Sequence, residues 1–96
     1  MNFGSALENL KINMLLTREA WNDTSKFVFF TPATRFKADH SILAERFKSG
    51  TIIDYNEHID IHLGSGIVEL LTPTQSDMLA KDWRTTNGTD KTPKAA

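Results

Sequence analysis

The sequence contains no cysteine and only three prolines among its 96 residues. Without cysteine there is no disulfide framework and no thiolate that would hold a metal ion. No apolar stretch approaches the roughly 20 residues that span a bilayer, so we expect no membrane segment. Residues 1–11 lack a basic stretch followed by an apolar run, which predicts a cytoplasmic protein without a signal peptide.

An excess of charge of one sign is also missing. Lys and Arg number 11 against 12 Asp and Glu, leaving a formal charge of −1, which argues against a basic nucleic-acid groove. A chain of this length makes one domain and buries only roughly 60% of its unfolded surface. Association with further copies adds buried area, so we expect a homo-oligomer.

The first third of the chain predicts a helix and a β-hairpin. An N-cap at Asn2 precedes apolar residues at the i, i+3, i+4 and i+7 spacing of one helix face, namely Phe3, Ala6, Leu7 and Leu10. Residues 14–18 predict a strand, and residues 27–30, an aromatic and β-branched run, predict a second one across a polar turn, as in a hairpin.

The middle of the chain gives a mixed signal. Over residues 33–50, Ile42, Leu43 and Phe47 are compatible with a short helix that Gly50 ends, and an irregular excursion is equally compatible. Residues 51–55 predict a third strand. Strict alternation follows, predicting that Ile59, Ile61 and Leu63 face the core while His58, Asp60 and His62 face away.

The late part of the chain predicts a turn, a strand and a capped helix. Gly64, Ser65 and Gly66 form a turn into a strand over residues 67–71. Thr72 then suits the N-cap, Pro73 the first helical position and Gln75 the third. The helix runs to residue 80, and Trp83 opens a last strand.

These elements predict a small single α+β domain. A curved antiparallel sheet carries an N-terminal helix and a short helix near the C-terminus. The ligand-binding domain covers residues 1–85. Residues 86–96 contain no large apolar residue and predict a disordered tail.

Catalytic and metal-binding patterns are weak. In His58-x-Asp60-x-His62, the two histidines of one strand lie about 13 Å apart and cannot share an ion. There is no G-x-S-x-G nucleophile motif and no spaced pair of acids. We therefore expect no catalytic residues, no metal and no cofactor, with hydrolysis through the His58, Asp60 and His62 face as the alternative.

Two clusters suggest ligand binding. Trp21 beside a turn offers a stacking face for a base, with Arg18 to reach a phosphate and Asn22 a polar edge, although packing and turn geometry account for them too. The second cluster, Gln75, Ser76 and Asp77, lies at a helix start, where it serves capping or binds a polar ligand.

In the order of these sequence elements the chain resembles the second class of Thoeris anti-defence proteins, a family of small phage and prophage proteins. The resemblance runs from Met1 to about Thr85. Three stretches carry it: residues 1–4 opening the first helix, residues 18–22 around the Trp-Asn pair, and residues 75–83. Trp21 and Asn22 match the family's Trp-Asn element, and Gln75, Ser76 and Asp77 match its Gln-Thr-Asp element.

The resemblance implies a function and an assembly. Thoeris defence uses a TIR enzyme to make a cyclic ADP-ribose isomer, and proteins of this family bind that signal without cleaving it. Some members take up cyclic dinucleotides of CBASS systems, and the family forms symmetric oligomers, apparently tetramers. The alternatives are sequestration of CBASS cyclic dinucleotides, or a protein-interaction or virion accessory module with no nucleotide ligand.

This chain departs from the family pattern at two places. Asp23 follows the Trp-Asn pair where glycine is usual, and Glu69 and Leu70 stand where the family carries Pro-Trp.

Overall fold

The computed structural model describes residues 1–39 and 42–88. Over these residues the chain forms three helices, α1 (Phe3–Lys11), α2 (Leu43–Arg46) and α3 (Gln75–Leu79), and a single 3₁₀ turn, Glu19–Trp21. The seven strands are β1 (Leu16–Arg18), β2 (Phe27–Thr31), β3 (Thr34–Lys37), β4 (Ile52–Tyr55), β5 (His58–His62), β6 (Val68–Leu70) and β7 (Trp83–Thr85).

Helix α1 confirms the predicted cap and apolar face. The side chain of Asn2 accepts a hydrogen bond from the backbone N–H of Ser5 at 2.8 Å. Ala6 and Leu10 are buried on one face, as their spacing requires. The face packs on a core made by Leu16, Val28, Ile61 and Trp83.

The main sheet has five antiparallel strands in the order β6-β5-β2-β1-β7. The predicted hairpin of β1 and β2 is confirmed, and Leu16 of β1 pairs with both Val28 and Thr85. The strand that Trp83 opens therefore lies at one edge, while β6 forms the other. The N-terminal helix, antiparallel sheet and late short helix make the fold α+β, as predicted.

Strand β5 follows the predicted alternation only in part. Ile61 is buried, but Leu63 lies beyond the strand end and is 40% exposed. His62, predicted to face away, is only 8% exposed. Its ring stacks on Phe27 at 4.8 Å, and the loops before β2 and after β5 cover it, so the second face of the sheet is not open at this point.

The predicted single sheet is in fact two sheets. Strand β4 confirms the predicted third strand, but it pairs with β3 in a separate two-stranded sheet. Every residue of β3 is exposed, so no apolar alternation marks it in the sequence. Helix α2 realises the short-helix alternative for the middle segment. Gly50 lies in the turn after it, since the helix is capped at Phe47.

The cap of α3 lies two residues later than predicted. Thr74, not Thr72, is the N-cap, and Asp77 is the third helical residue of a reciprocal capping box. The Asp77 carboxylate accepts from the Thr74 backbone N–H at 3.0 Å, and the Thr74 hydroxyl accepts from the Asp77 N–H at 3.1 Å. A carboxylate is a stronger acceptor than the glutamine amide, which favours this register.

Residues beyond the last strand remain close to the sheet as far as residue 88. The backbone N–H of Thr86 donates to the carbonyl of Leu15 at 3.0 Å. The rest of the predicted tail, residues 89–96, lies outside the described residues. In the described ranges no helix is long and apolar enough to cross a membrane.

Candidate ligand-binding site

A cavity of about 420 Å³ lies between the end of β1, the β5–β6 hairpin and α3. Four of the six predicted site residues line it: Arg18, Trp21, Ser76 and Asp77. The structure thus brings together residues from the two clusters that the sequence separates by more than fifty positions.

Two predicted residues do not line this cavity. Asn22 is exposed and adopts the left-handed conformation, at φ 47°, that ends the 3₁₀ turn. Its backbone N–H donates to the Glu19 carbonyl at 3.1 Å, which is the turn role that the sequence allowed. Gln75 is the first residue of α3 and is exposed outside the cavity.

Arg18 is held by two carboxylates. Its Nε donates to Asp82 Oδ1 and its Nη1 to Asp77 Oδ1, each at 2.9 Å, and only 13% of its side chain is exposed. The hydrogen bond that Arg18 donates to Asp82, together with the one it donates to Asp77, raises the pKa of Arg18 in spite of its partial burial. The guanidinium charge is therefore already balanced by protein groups.

The two carboxylates are stabilised as anions. Burial alone would raise the pKa of Asp77, but hydrogen bonds from the Thr74 backbone and from Arg18 outweigh it and hold that pKa below its usual value. For Asp82, the hydrogen bond from Arg18 and the backbone N–H of Ala20 lower the pKa. Sequence reasoning missed Asp82, because only the pairing of β7 with β1 brings it to Arg18.

Trp21 is fixed by Trp83 and by a cation. The two indoles meet edge to face with centroids 5.4 Å apart. Trp83, 2% exposed, donates from Nε1 to the Asp77 carbonyl at 2.9 Å and so joins the aromatic pair to α3. The Lys26 ammonium lies 4.5 Å from the centroid of the Trp21 ring.

Lys26 is the second residue that the sequence did not point to. It lines the cavity with Arg18, and the same wall carries the carboxylates of Glu69 and Asp77. Charge on the wall is therefore balanced within one chain. The remaining wall combines apolar side chains with hydroxyl groups, contributed by Ile61, Leu63, Leu70, Leu71, Thr72 and Thr74.

The His58, Asp60 and His62 pattern does not form one site. His58 Nε2 lies 3.1 Å from Asp60 Oδ2, which also accepts from the Thr31 hydroxyl at 2.7 Å. His62 instead contacts the Ser25 carbonyl through Nδ1 at 2.6 Å. In residues 1–39 and 42–88 there is no group of three or more potential metal ligands.

A larger cavity of about 560 Å³ lies between α1 and strands β2 and β5. Its wall is mainly apolar, with Leu7, Leu10, Phe30 and Ile59 among the lining residues. None of the six predicted site residues borders it. Lys11, Glu57 and His58 also line it, so both cavities combine apolar and polar groups. We favour the smaller cavity because four of the predicted site residues converge there.

Comparison with known proteins gives the family. A family model described as a Tad2-like, Thoeris anti-defense 2-like domain matches residues 1–86. The chain is also 31% identical over 86 residues to a protein of Bacillus phage SP01 named Thoeris anti-defense 2, covering 86% of this chain and 91% of that protein. The resemblance inferred from the sequence is confirmed: the chain belongs to the Thoeris anti-defense 2-like family.

Proposed function

We propose that this protein binds and sequesters a TIR-derived cyclic ADP-ribose isomer without cleaving it, and so blocks Thoeris immunity in the cytoplasm of the host bacterial cell. Family membership supports a phage Thoeris anti-defence role. The observation that carries the proposal is the cavity in which Trp21, Arg18, Ser76 and Asp77 converge.

The chemistry of the cavity suits a nucleotide. The Trp21 indole offers a face on which a base stacks. The hydroxyls of Thr72, Thr74 and Ser76 are donors and acceptors suited to ribose. A volume of about 420 Å³ also falls within the usual range for small-molecule sites.

The affinity that sequestration needs is within reach of such a ligand. Competition with a signalling receptor at nanomolar affinity corresponds to about −12 kcal/mol. A ligand of roughly 35 heavy atoms at about −0.3 kcal/mol each supplies about −11 kcal/mol. To reach this affinity the ligand must be enclosed on several sides. In one copy of the chain the cavity is still open to solvent.

We propose that a second copy closes it, within a homo-oligomer that we expect to be a tetramer. Edge strand β6 exposes 48% of Val68 and 55% of Leu70, and Ile67 just before it is 58% exposed. Exposed apolar edge strands are templates for pairing with another chain. Because Glu69 and Leu70 also line the cavity, a copy packed on this edge would complete the site.

That arrangement is tested by light scattering coupled to size-exclusion chromatography. Val68→Lys places a charge on the β6 edge and is expected to reduce the mass to that of a smaller species. Glu8→Lys, on the exposed surface of α1, is the matched control and should leave the mass unchanged. An unchanged mass for Val68→Lys would exclude β6 as the interface.

The decisive experiment on function is bind-and-release. The purified protein is incubated with a cyclic ADP-ribose isomer, freed of unbound ligand and denatured, and the released material is identified by mass spectrometry. Intact ligand in stoichiometric amount supports sequestration, and cleaved product would overturn it. The same assay with cyclic dinucleotides tests the CBASS alternative. Glu69 and Leu70, which differ from the family pattern, line the cavity and could change which nucleotide it prefers. Release of nothing across the panel would favour an interaction module.

The role of Trp21 is tested by substitution. Trp21→Ala removes a stacking surface and is expected to weaken binding about 5- to 150-fold. Tyr55→Ala removes an aromatic ring that is 42% exposed on β4, outside this cavity, and serves as the control. Equal affinities for the two variants would remove Trp21 from the site.

A further inference from the structure

Two hydrogen bonds fix the backbone of Lys26, a residue that lines the cavity. Its N–H donates to the Asp23 carbonyl at 3.2 Å, and its own carbonyl accepts from the Thr17 hydroxyl at 2.8 Å. Thr17 is only 1% exposed, so the anchor lies inside the fold. The main chain is therefore fixed, while the flexible side chain reaches over the Trp21 ring.

The two cations of the cavity differ in what they are bound to. Arg18 donates to Asp77 and Asp82, so its charge is already paired with two carboxylates and only its remaining N–H groups are open to a ligand. Within the described ranges, no carboxylate forms an ion pair with Lys26, whose ammonium rests on Trp21. Of the two cations, Lys26 is thus the one whose charge no carboxylate of the described residues already pairs with.

We infer that Lys26 is a ligand-binding residue that leaves the Trp21 ring when a base stacks there and pairs with the phosphate of the same ligand. The inference rests on the proposed function and assigns the phosphate to Lys26 instead of Arg18. Its ligand is a phosphate ester that carries a planar base. Cyclic ADP-ribose isomers and cyclic dinucleotides both have this chemistry.

The exchange follows from the geometry. An ammonium 4.5 Å from the ring centroid occupies the space in which a stacked base would lie, so both cannot share that face. The displaced lysine gains a charged partner from the ligand itself when that ligand carries an anion. A charge-assisted hydrogen bond to phosphate is stronger than a cation–π contact at a partly exposed site. The site therefore selects against bases that lack phosphate.

The experiment measures binding of cyclic ADP-ribose, a cyclic dinucleotide and uncharged adenosine by calorimetry. The proteins are the wild type, Lys26→Met, Lys26→Arg and the control Lys81→Met, which removes an exposed lysine outside the cavity. Lys26→Met should weaken binding of the phosphate-bearing ligand about 10- to 100-fold. Lys26→Arg should recover most of it, and adenosine should bind no more weakly to Lys26→Met than to the wild type.

Salt dependence gives a readout that a structural role would not move. Loss of one phosphate contact lowers the dependence of affinity on salt concentration, so Lys26→Met should have a flatter slope than the wild type or Lys81→Met. Lys26→Gln is a second variant that keeps a polar side chain and is used if Lys26→Met fails to fold.

The outcomes separate the two proposals. Wild-type binding with equal affinity and equal salt slope in Lys26→Met overturns the role of Lys26 and leaves sequestration intact. A parallel loss of adenosine binding would show that Lys26 shapes the site without pairing with phosphate, which also overturns the inference. No wild-type binding to any phosphate-bearing ligand overturns the proposed function and this inference with it.

Discussion

Substitution of Asp77 tests whether the candidate site and the fold share a set of side chains. In Asp77→Ala the carboxylate that accepts from Arg18 Nη1 at 2.9 Å and from the Thr74 N–H at 3.0 Å is lost. The hydrogen bond from Trp83 to the residue-77 carbonyl is a backbone contact and survives. The change therefore removes the ion pair and half of the capping box together.

The magnitude follows from these two contacts. Loss of one hydrogen bond of the capping box costs about 1 kcal/mol, and loss of a partly buried charge-assisted hydrogen bond about 1.5–3 kcal/mol. Because Arg18 keeps Asp82 as a partner, we expect a total near the middle of the range, about 3 kcal/mol. For a domain of this size that corresponds to a fall in Tm of about 12–24 °C.

The assay is urea unfolding followed by tryptophan fluorescence at several pH values and one fixed protein concentration, since assembly couples to stability. The folded-state pKa of Asp77 lies below its unfolded value of about 4. Its contribution is therefore complete above that value and is lost as pH falls through the lower folded pKa. The wild type should lose stability across this acid window more steeply than Asp77→Ala.

The matched control is Asp54→Ala. Asp54 also pairs with an arginine, Arg35, at 2.7 Å, but the two side chains are 63% and 78% exposed. Exposed pairs contribute little, so this change should cost at most about 0.5 kcal/mol. If Asp77→Ala matched the control and kept the wild-type acid slope, the reasoning that ties Arg18 and α3 through Asp77 would be refuted.

Three further substitutions test the surroundings of the site by the same unfolding measurement. Trp83→Phe loses the indole bond to the Asp77 carbonyl and leaves a void, which should cost about 2–4 kcal/mol; less than 1 kcal/mol would contradict that contact. His62→Ala leaves the Gly66 N–H without its 3.1 Å acceptor and should cost about 2–3 kcal/mol, whereas an unchanged midpoint would show a loose β5–β6 turn. Gly88→Ala places a Cβ on a residue at φ 65°, 2.7 Å from Cδ1 of Leu15, and should lower the free energy of unfolding by about 1–2 kcal/mol. An unchanged free energy of unfolding would show that residue 88 does not pack against Leu15.

The elements that the sequence predicts well are those with a local cause. Helix α1 has its cap and its apolar face within ten residues, so both signals agree. Strand β7 is marked by Trp83, and the β5–β6 hairpin by the Gly-Ser-Gly turn, where all three residues adopt positive φ. In each case the pattern and the turn chemistry point to the same structure.

The elements that the sequence did not resolve depend on partners far along the chain. Strand β3 has no apolar alternation and exists through pairing with β4. The burial of His62 results from loops that cover it and not from its own strand. The N-cap of α3 is Thr74 and not the predicted Thr72. Asp77 forms the capping box with Thr74 and also accepts a hydrogen bond from Arg18, which lies 59 positions away in the sequence.

The residues of the candidate site were also predicted only in part from the sequence. Four of the six predicted site residues, Arg18, Trp21, Ser76 and Asp77, line one cavity. Asn22 and Gln75 are neighbours of these residues in sequence but not around the cavity, because a 3₁₀ turn and a helix direct adjacent side chains apart. Whether the six residues bind the ligand stays a prediction.

The double engagement of Arg18 has a consequence for genetics. A screen for mutants that no longer protect a phage would readily recover changes at Arg18 and Asp77. These mutants would fail because the protein does not fold, whatever their effect on the proposed ligand binding. Positions on the cavity wall outside that network, such as Ser76, are where a folded protein without activity should be found. Abundance in the infected cell, measured beside protection, separates the two kinds of mutant.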